Sequence, residues 1–357
     1  MEFMILDTNL KAVSVLDAYE SIIWTDRYNQ CGDFEIYTNM SSETYNQLQQ
    51  DYYLWSADSE HTMIIEDIEI TSDAEEGSTL KVTGRSLESM LDRRIIWNQT
   101  TLTGKLQDGI KQLLNDNIIS PTEANRKIDN FVFVESTDTA VTDLTIDAQY
   151  LGDNLYDVIC ELCSSNNIGF KIVLTDDLKF NFSLYAGADK SYDQLTNPYV
   201  LFSPDFDNII NSNYIESKKT LKNIVLVAGE ESDSGTRTTI TVEATDGAGS
   251  GLSRREYYSD ASDLTTSTED GGTLSTSEYE AQLKQRGNEE LSNNSITKSF
   301  EGEMETTKTF VYGEDFFMGD IVQIANEFGI ESKSRIIEMV MSQDESGIEA
   351  YPTFETV

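Results

Sequence analysis

Of the 357 residues, 64 are Asp or Glu and 25 are Lys or Arg, which leaves a formal charge of −39. A surplus of this size forces most carboxylates to stay in water, because a buried charge without a partner is costly. It makes every cation a scarce counterion. It also restricts what the chain can bind. Phosphate backbones are gripped by clustered Lys and Arg that release counterions, and anionic membranes by polybasic segments. This composition repels both. Disorder does not follow, since 38% hydrophobic and 10% aromatic residues are enough to build packed cores. The length predicts about two to four domains of ~100–150 residues each.

Three cysteines (Cys31, Cys160, Cys163) and one histidine (His61) narrow the chemistry further. An odd, low cysteine count in a long chain is not a disulfide framework. A single histidine rules out a multi-histidine metal site and leaves only His61 for a nucleophile–histidine dyad. No apolar run approaches the ~20 residues that span a bilayer. The start, Met1-Glu2-Phe3-Met4-Ile5-Leu6-Asp7, lacks the basic and apolar regions of a signal peptide, so synthesis in a cytoplasm and no membrane anchor are expected.

The first hundred residues read as β. Apolar runs at 12–15 and 21–24 precede a polar turn at 27–33 and an alternating strand at 34–37, a hairpin pattern. A helix is expected over 42–53, strands at 63–70 and 80–83 around a turn at 73–78, a short helix through Leu87, Met90 and Leu91, and a strand at 93–97. The next hundred change character. Leu106, Ile110, Leu113 and Leu114 fit a helix that ends near Ser120-Pro121. Leu155, Val158, Ile159, Leu162 and Cys163 fit another, with Asp153 as its N-cap. Strands at 170–174 and 178–184 complete an α/β module. From about Tyr199 the chain is β again, with a buried strand at 223–229. Residues 229–280 carry 12 acidic and 3 basic residues among Ser, Thr and Gly, a solvated insertion. A helix over 277–291 opens with the capping box Ser277-x-x-Glu280, and 306–354 reads as strands and turns.

Few constellations point to chemistry. Cys160-x-x-Cys163 sits inside a helix, not at its N-terminus where redox pairs lie, and reads as packing. His61, beside Glu60, reads as structural or exposed. Gly247-Ala248-Gly249-Ser250-Gly251 is a loop without the strand and helix of a dinucleotide site. No EF-hand spacing is present. Paired carboxylates, the requirement of a glycosidase, arise by chance among so many acids. Arg85, Arg93-Arg94 and Arg254-Arg255 are expected to pair with carboxylates within or between chains. For Arg93 and Arg94 a solvated position is the equal alternative.

Six segments together resemble the baseplate hub family of siphophage tails, which includes the N-terminal hub region of tail-associated lysins. They are Trp24-Thr25-Asp26-Arg27-Tyr28-x-x-x-Gly32-Asp33-Phe34-Glu35-Ile36; the run from Gly84-Arg85-Ser86 through Asp92-Arg93-Arg94-Ile95-Ile96-Trp97; Lys222-Asn223-Ile224-Val225-Leu226-Val227-Ala228-Gly229-Glu230; Gly251-Leu252-Ser253-Arg254-Arg255-Glu256-Tyr257-Tyr258; Glu278-Tyr279-Glu280-x-x-Leu283-Lys284-x-Arg286-Gly287; and Tyr312-Gly313-Glu314-Asp315-Phe316-Phe317-Met318-Gly319-Asp320-Ile321-Val322. They span nearly the whole chain, in the family's order.

The resemblance implies a mainly β chain with α/β peripheral modules. Two tail-tube-like β-barrel domains per chain would form a pseudo-hexameric ring in a homotrimer. The first barrel is expected over residues 1–100, completed by part of 199–222, and the peripheral α/β domain over 101–198. The second barrel is expected over 215–230 plus 300–357, and the loop-rich insertion with its helix over 231–299. Gly32 is expected to supply a positive φ, Gly84 to let the chain swing from strand to helix, and Gly313 and Gly319 to bracket a bend at Asp315-Phe316-Phe317. Trp24, Phe34, Trp97 and Phe316 are expected core anchors. With Arg27, Arg85, Arg93 and Arg94 they are structural or interface candidates. No catalytic, cofactor or metal residue is expected.

The implied role is a virion protein at the tail tip. Its partners would be the distal tail protein and tail tube, the tape-measure protein, and receptor-binding or fibre proteins. DNA would pass through without specific binding. Lytic activity of longer relatives is not carried over to a chain that stops at Val357. The alternatives are the hub of a phage-derived contractile particle, a muralytic tail-associated enzyme, and a carbohydrate-binding insertion.

Overall fold

Alternation builds the centre of the molecule. Strand Ser21–Arg27 buries Ile22, Trp24 and Asp26 on one face, and its hairpin partner Asp33–Asn39 buries Phe34, Ile36 and Thr38. Strand Gly77–Ser86 buries Leu80, Val82, Gly84 and Ser86 with the same two-residue period. The antiparallel register sets Trp24 opposite Phe34, and Phe34 opposite Gly84. A Cβ at Gly84 would lie 1.8 Å from the Ile64 carbonyl oxygen and 2.9 Å from the Phe34 ring. Gly84 therefore does not redirect the chain toward the following 3₁₀-helix, Leu87–Arg93. It lies inside the strand and leaves room for two neighbours. Gly32 likewise does not have a positive φ; a Cβ there would lie 2.1 Å from the Thr25 carbonyl oxygen.

The computed structural model describes residues 1–73, 77–209, 211–232, 234–268, 272–301 and 309–357. Residues 74–76 of the expected turn at 73–78, and 306–308 of the expected C-terminal strands, lie outside them. With 42% strand and 20% helix the chain is mainly β.

Thirteen strands form one sheet. Its spine is the 14-residue strand Glu331–Asp344. Gly347–Thr356 pairs along one side of it. On the other side, residues 331–335 pair with Ile321–Ala325, and residues 338–343 pair with Ser21–Arg27. A register shift between Ile336 and Glu338 falls where the partner changes. Among the described residues, neither expected β-rich part forms a closed barrel within the one chain. The sheet runs open from Ala12–Leu16 to Asn213–Ser217, and among these residues no pairing closes either half. One strand is long enough to serve both halves, so backbone groups that a separate barrel would use internally join the halves instead.

Four cores follow from this arrangement. Phe3, Ile22, Trp24, Phe34 and Val82 pack under one half of the sheet, and Phe202, Phe300, Phe316, Ile336 and Phe354 under the other. A third core fills the α/β part. Helices Leu106–Leu114 and Leu155–Ser165 pack there on strands Gly169–Leu174 and Phe180–Tyr185, with Leu87 and Leu91 reaching in from the 3₁₀-helix. The fourth lies under helix Thr276–Asn293, where Tyr279 and Leu283 cover Val225, Val227 and Val242.

Several local expectations shift. The N-cap of Leu155–Ser165 is Asn154, whose side chain accepts from the Tyr156 and Asp157 amides. The capping box of Thr276–Asn293 is Ser275 with Glu278, the same Ser-x-x-Glu spacing two residues earlier than expected. The helix expected over 42–53 stops at Gln47, because Tyr53–Trp55 is drawn into the sheet beside Phe3–Leu6. Residues 93–97 form no strand beyond a single bridge from Ile95 to Asn154.

Gly84→Ala is expected to lower stability by about 1–3 kcal/mol or more, because the added methyl meets backbone that cannot move aside. Urea unfolding of the purified chain measures this; a midpoint unchanged from wild type would contradict it.

Candidate functional site

The residues singled out by sequence fall in three places. Trp24, Arg27, Gly32, Phe34 and Gly84 sit at the centre of the sheet. Trp24 is fully buried, stacked on Phe3 at 5.3 Å and tilted against Phe34 at 6.1 Å. Arg27 bridges the two halves: Nε donates to Glu338 at 2.7 Å and a terminal nitrogen to Asp33 at 2.5 Å. Around the 3₁₀-helix, Arg85 grips Glu66 through two 2.8 Å hydrogen bonds and Asp92 through one of 3.1 Å, and Arg93 meets Asp51 at 3.2 Å. Arg94 meets backbone carbonyls instead. Trp97 is no core anchor: it is 57% exposed, because the strand expected to carry it inward does not form. In the third place, Phe316 is fully buried against Phe202, Asp315 accepts from the Val311 amide at 2.8 Å, and Gly313 and Gly319 have φ of +85° and +88°.

The first and third places meet at Tyr28, which the sequence left without a role. Its ring is wedged between Gly169 of the α/β part and Gly319 of the second sheet half. A Cβ on either glycine would come within 2.5 Å or 2.2 Å of that ring. Tyr185 packs edge-on at 5.3 Å, and the buried Arg335 guanidinium lies 5.2 Å from the ring centroid. The Tyr28 amide donates to Ile337, its carbonyl accepts from Phe170, and its hydroxyl donates to Asn167. Asp320 closes the same junction. Its carboxylate accepts from the amides of Ala188 (2.7 Å) and Phe317 (3.0 Å) and pairs with Lys190 at 2.9 Å.

A buried charge cluster lies alongside. His61, 5% exposed, has Nδ1 3.3 Å from Glu88 Oε1, an ionic contact without hydrogen-bond alignment. Glu88, fully buried, accepts from the Ile172 amide at 2.6 Å, and buried Asp26 accepts from Trp24 Nε1 at 3.1 Å. Burial alone would lower the His61 pKa; the Asp26 and Glu88 charges outweigh it and hold the imidazole up to about 9. Burial raises the Asp26 carboxyl. For Glu88 the same penalty is overcome by His61, which keeps it below the usual range. Sequence alternation could have flagged Asp26, which shares the inward face of its strand with Trp24. Glu88 gave no signal, because its burial depends on a 3₁₀ turn packing against a strand 84 residues away.

This arrangement holds charge in place, and the Ser59 hydroxyl joins it, donating to Asp26 at 3.3 Å and accepting from the His61 amide at 3.0 Å. Burial pushes the Cys160 thiol up to about 12 and the Cys163 thiol well above its usual value. Among the described residues, no group of three or more His, Cys, Asp or Glu is placed to hold a metal ion, and no helix is long and apolar enough to cross a membrane.

The raised His61 pKa fixes a sign. Its contribution is complete below the unfolded value of about 6.5 and is lost as pH rises through about 9. The stability margin of wild type over His61→Gln is therefore expected to shrink, by on the order of 2 kcal/mol, between pH 7 and 10. Melting curves of both proteins across that range test this; a constant margin counts against it.

Comparison with curated proteins finds no match. Among solved structures, the tail protein from Neisseria meningitidis MC58 is 13% identical, with 99% of this chain and 95% of that one covered at a TM-score of 0.59. The 43 kDa tail protein of prophage MuSo2 from Shewanella oneidensis gives 13%, 99%, 98% and 0.58. Prophage tail protein gp18 from Listeria monocytogenes EGD-e gives 12%, 99%, 94% and 0.56. Identities this low speak for a shared fold alone. The profile of the family described as Siphovirus ReqiPepy6 Gp37-like protein matches residues 2–354. With a match of that extent, the chain belongs to the Siphovirus ReqiPepy6 Gp37-like protein family.

Proposed function

We propose that this chain is a structural subunit of a phage tail: the central hub at the tail tip, assembled as a homotrimer. The observation that carries this reading is extent. One siphovirus family profile and the fold of three tail proteins each run across nearly the whole chain. The interior supports it. His61 is enclosed by carboxylates, and the Cys160 and Cys163 thiols are held protonated, so the groups best suited to bond chemistry serve packing and charge balance.

In this reading residues 1–100, with part of 199–222, and residues 215–230 plus 300–357 are the two tube-like parts. Three chains contribute six of them to a ring whose strands complete the curvature each chain leaves open. Residues 101–198 and 231–299 decorate the outside. The ring joins the distal tail protein and tail tube on one side to receptor-binding or fibre proteins on the other. The tape-measure protein and then DNA pass through it. A surplus of 39 carboxylates per chain gives that passage walls that repel phosphate. Opening is a shift between closed and open trimers, with no cofactor and no bond chemistry.

Light scattering of the purified chain is expected to give three times the 40.1 kDa of one chain. Antibody raised against it should label the tail tip of native particles in electron micrographs. A strict monomer at micromolar concentration, with label elsewhere on the particle, would refute the hub.

A further inference from the structure

The arginines of this acidic chain divide into two sets. Arg27, Arg85, Arg93, Arg237, Arg254 and Arg286 each have a carboxylate within 4.0 Å. Among the described residues the others have none: Arg335 is buried on the Tyr28 ring, and Arg255 stands apart from the cleft and donates to the Lys218 carbonyl at 2.8 Å. Arg94 and Arg126 lie together beside Arg93 in a surface cleft, and among the described residues neither has a carboxylate partner. Backbone and amide oxygens hold them. Arg94 donates to the carbonyls of Arg126 and Arg93, both at 2.8 Å. Arg126 donates to the Ile95 carbonyl at 2.7 Å and Asn117 Oδ1 at 3.0 Å. These contacts fix the guanidinium groups without neutralising them. Burial, then the charges of Arg126 and Arg93, hold Arg94 below the usual arginine value. Two carboxylates line the cleft: Asp92, engaged by Arg85 and Asn154, and Glu123, which forms no ion pair with Arg94 or Arg126. Arg126 lies 5.0 Å from the centroid of the Trp97 ring, and Trp97 and Ile95 are 57% and 43% exposed.

We propose that this cleft receives carboxylates from a second copy of this chain, with Arg94 and Arg126 as the counterions and Trp97 as the apolar anchor. The proposal rests on the self-assembling reading above and gives it a site. Each copy carries 64 carboxylates against 25 cations, so a neighbouring copy offers carboxylates almost wherever it makes contact. Two such copies repel unless cations sit at the contact, and fixed guanidinium groups lose little freedom when a bidentate carboxylate arrives. Trp and Arg are also the residue types that concentrate binding energy at interfaces.

The test is self-association of the full chain, followed by sedimentation velocity across micromolar concentrations. Arg94→Gln with Arg126→Gln, and separately Trp97→Ala, are expected to weaken association at least about tenfold. Lys179→Gln with Lys284→Gln makes the same charge change at two exposed lysines of the outer parts, away from the cleft, and is expected to leave association unchanged. If wild type assembles and the cleft variants assemble equally well, the cleft assignment is wrong while self-assembly stands. An equal loss in the lysine control would reduce the effect to net charge and overturn the site. A wild-type chain that stays monomeric removes the self-assembling reading itself. Should the double arginine variant fail to fold, Trp97→Ala, at an exposed side chain, decides alone.

Discussion

The architecture depends on one aromatic ring held between two glycines. Tyr28 ends the strand that carries Trp24 and Asp26, and its ring fills the space that side chains at Gly169 and Gly319 would occupy. Those glycines belong to the α/β part and to the second sheet half. A single side chain thereby registers three regions of the chain against one another. Arg335 and Tyr185 complete the enclosure. Burying an aromatic ring of this size is among the larger single contributions a core can gain, and here it acts where those three regions must agree in position.

Charge is the second constraint, and the protein meets it differently at each buried carboxylate. Glu88 is balanced by His61, and Asp320 by Lys190 and two amides. Glu289, 2% exposed on the long helix, accepts from Gln285 at 2.9 Å and has the Arg286 guanidinium only at 4.0 Å; burial outweighs both and pushes its carboxyl up to about 7. Buried Asp26 accepts from Trp24 Nε1, and many other acids pair with Lys or Arg at the surface, as Glu66 does with Arg85. The scarcity of cations is thus visible in how they are placed: most lie against carboxylates of the same chain, and the Arg94 and Arg126 pair lies against carbonyl and amide oxygens.

Much of the local structure was legible in the sequence because its signals are local. Alternation at 34–37 and the apolar run at 80–83 marked the middles of Asp33–Asn39 and Gly77–Ser86, and apolar spacing marked the helices at 106–114 and 155–165. In the Gly84 to Trp97 segment the expected roles of single residues did not hold. Gly84 answers to packing from Ile64 and Phe34, and Trp97 faces solvent because residues 93–97 form no strand beyond the bridge from Ile95 to Asn154. The joining of two β-rich parts into one sheet was not legible. It rests on Trp24 pairing with Met341, a contact between residues more than three hundred positions apart that leaves no periodic trace. The Tyr28 wedge was hidden for the same reason: its two glycines mean nothing until they are brought to one ring.

The shared strand Glu331–Asp344 has a mechanical consequence. Its covalent backbone runs under both cores, with Ile336 in one and Met341 against the other. A load applied to either half travels as shear along a continuous hydrogen-bond ladder, which gives way only when many bonds fail together. Hinging the two halves apart would break that ladder, so the sheet resists bending at the junction and moves as one body.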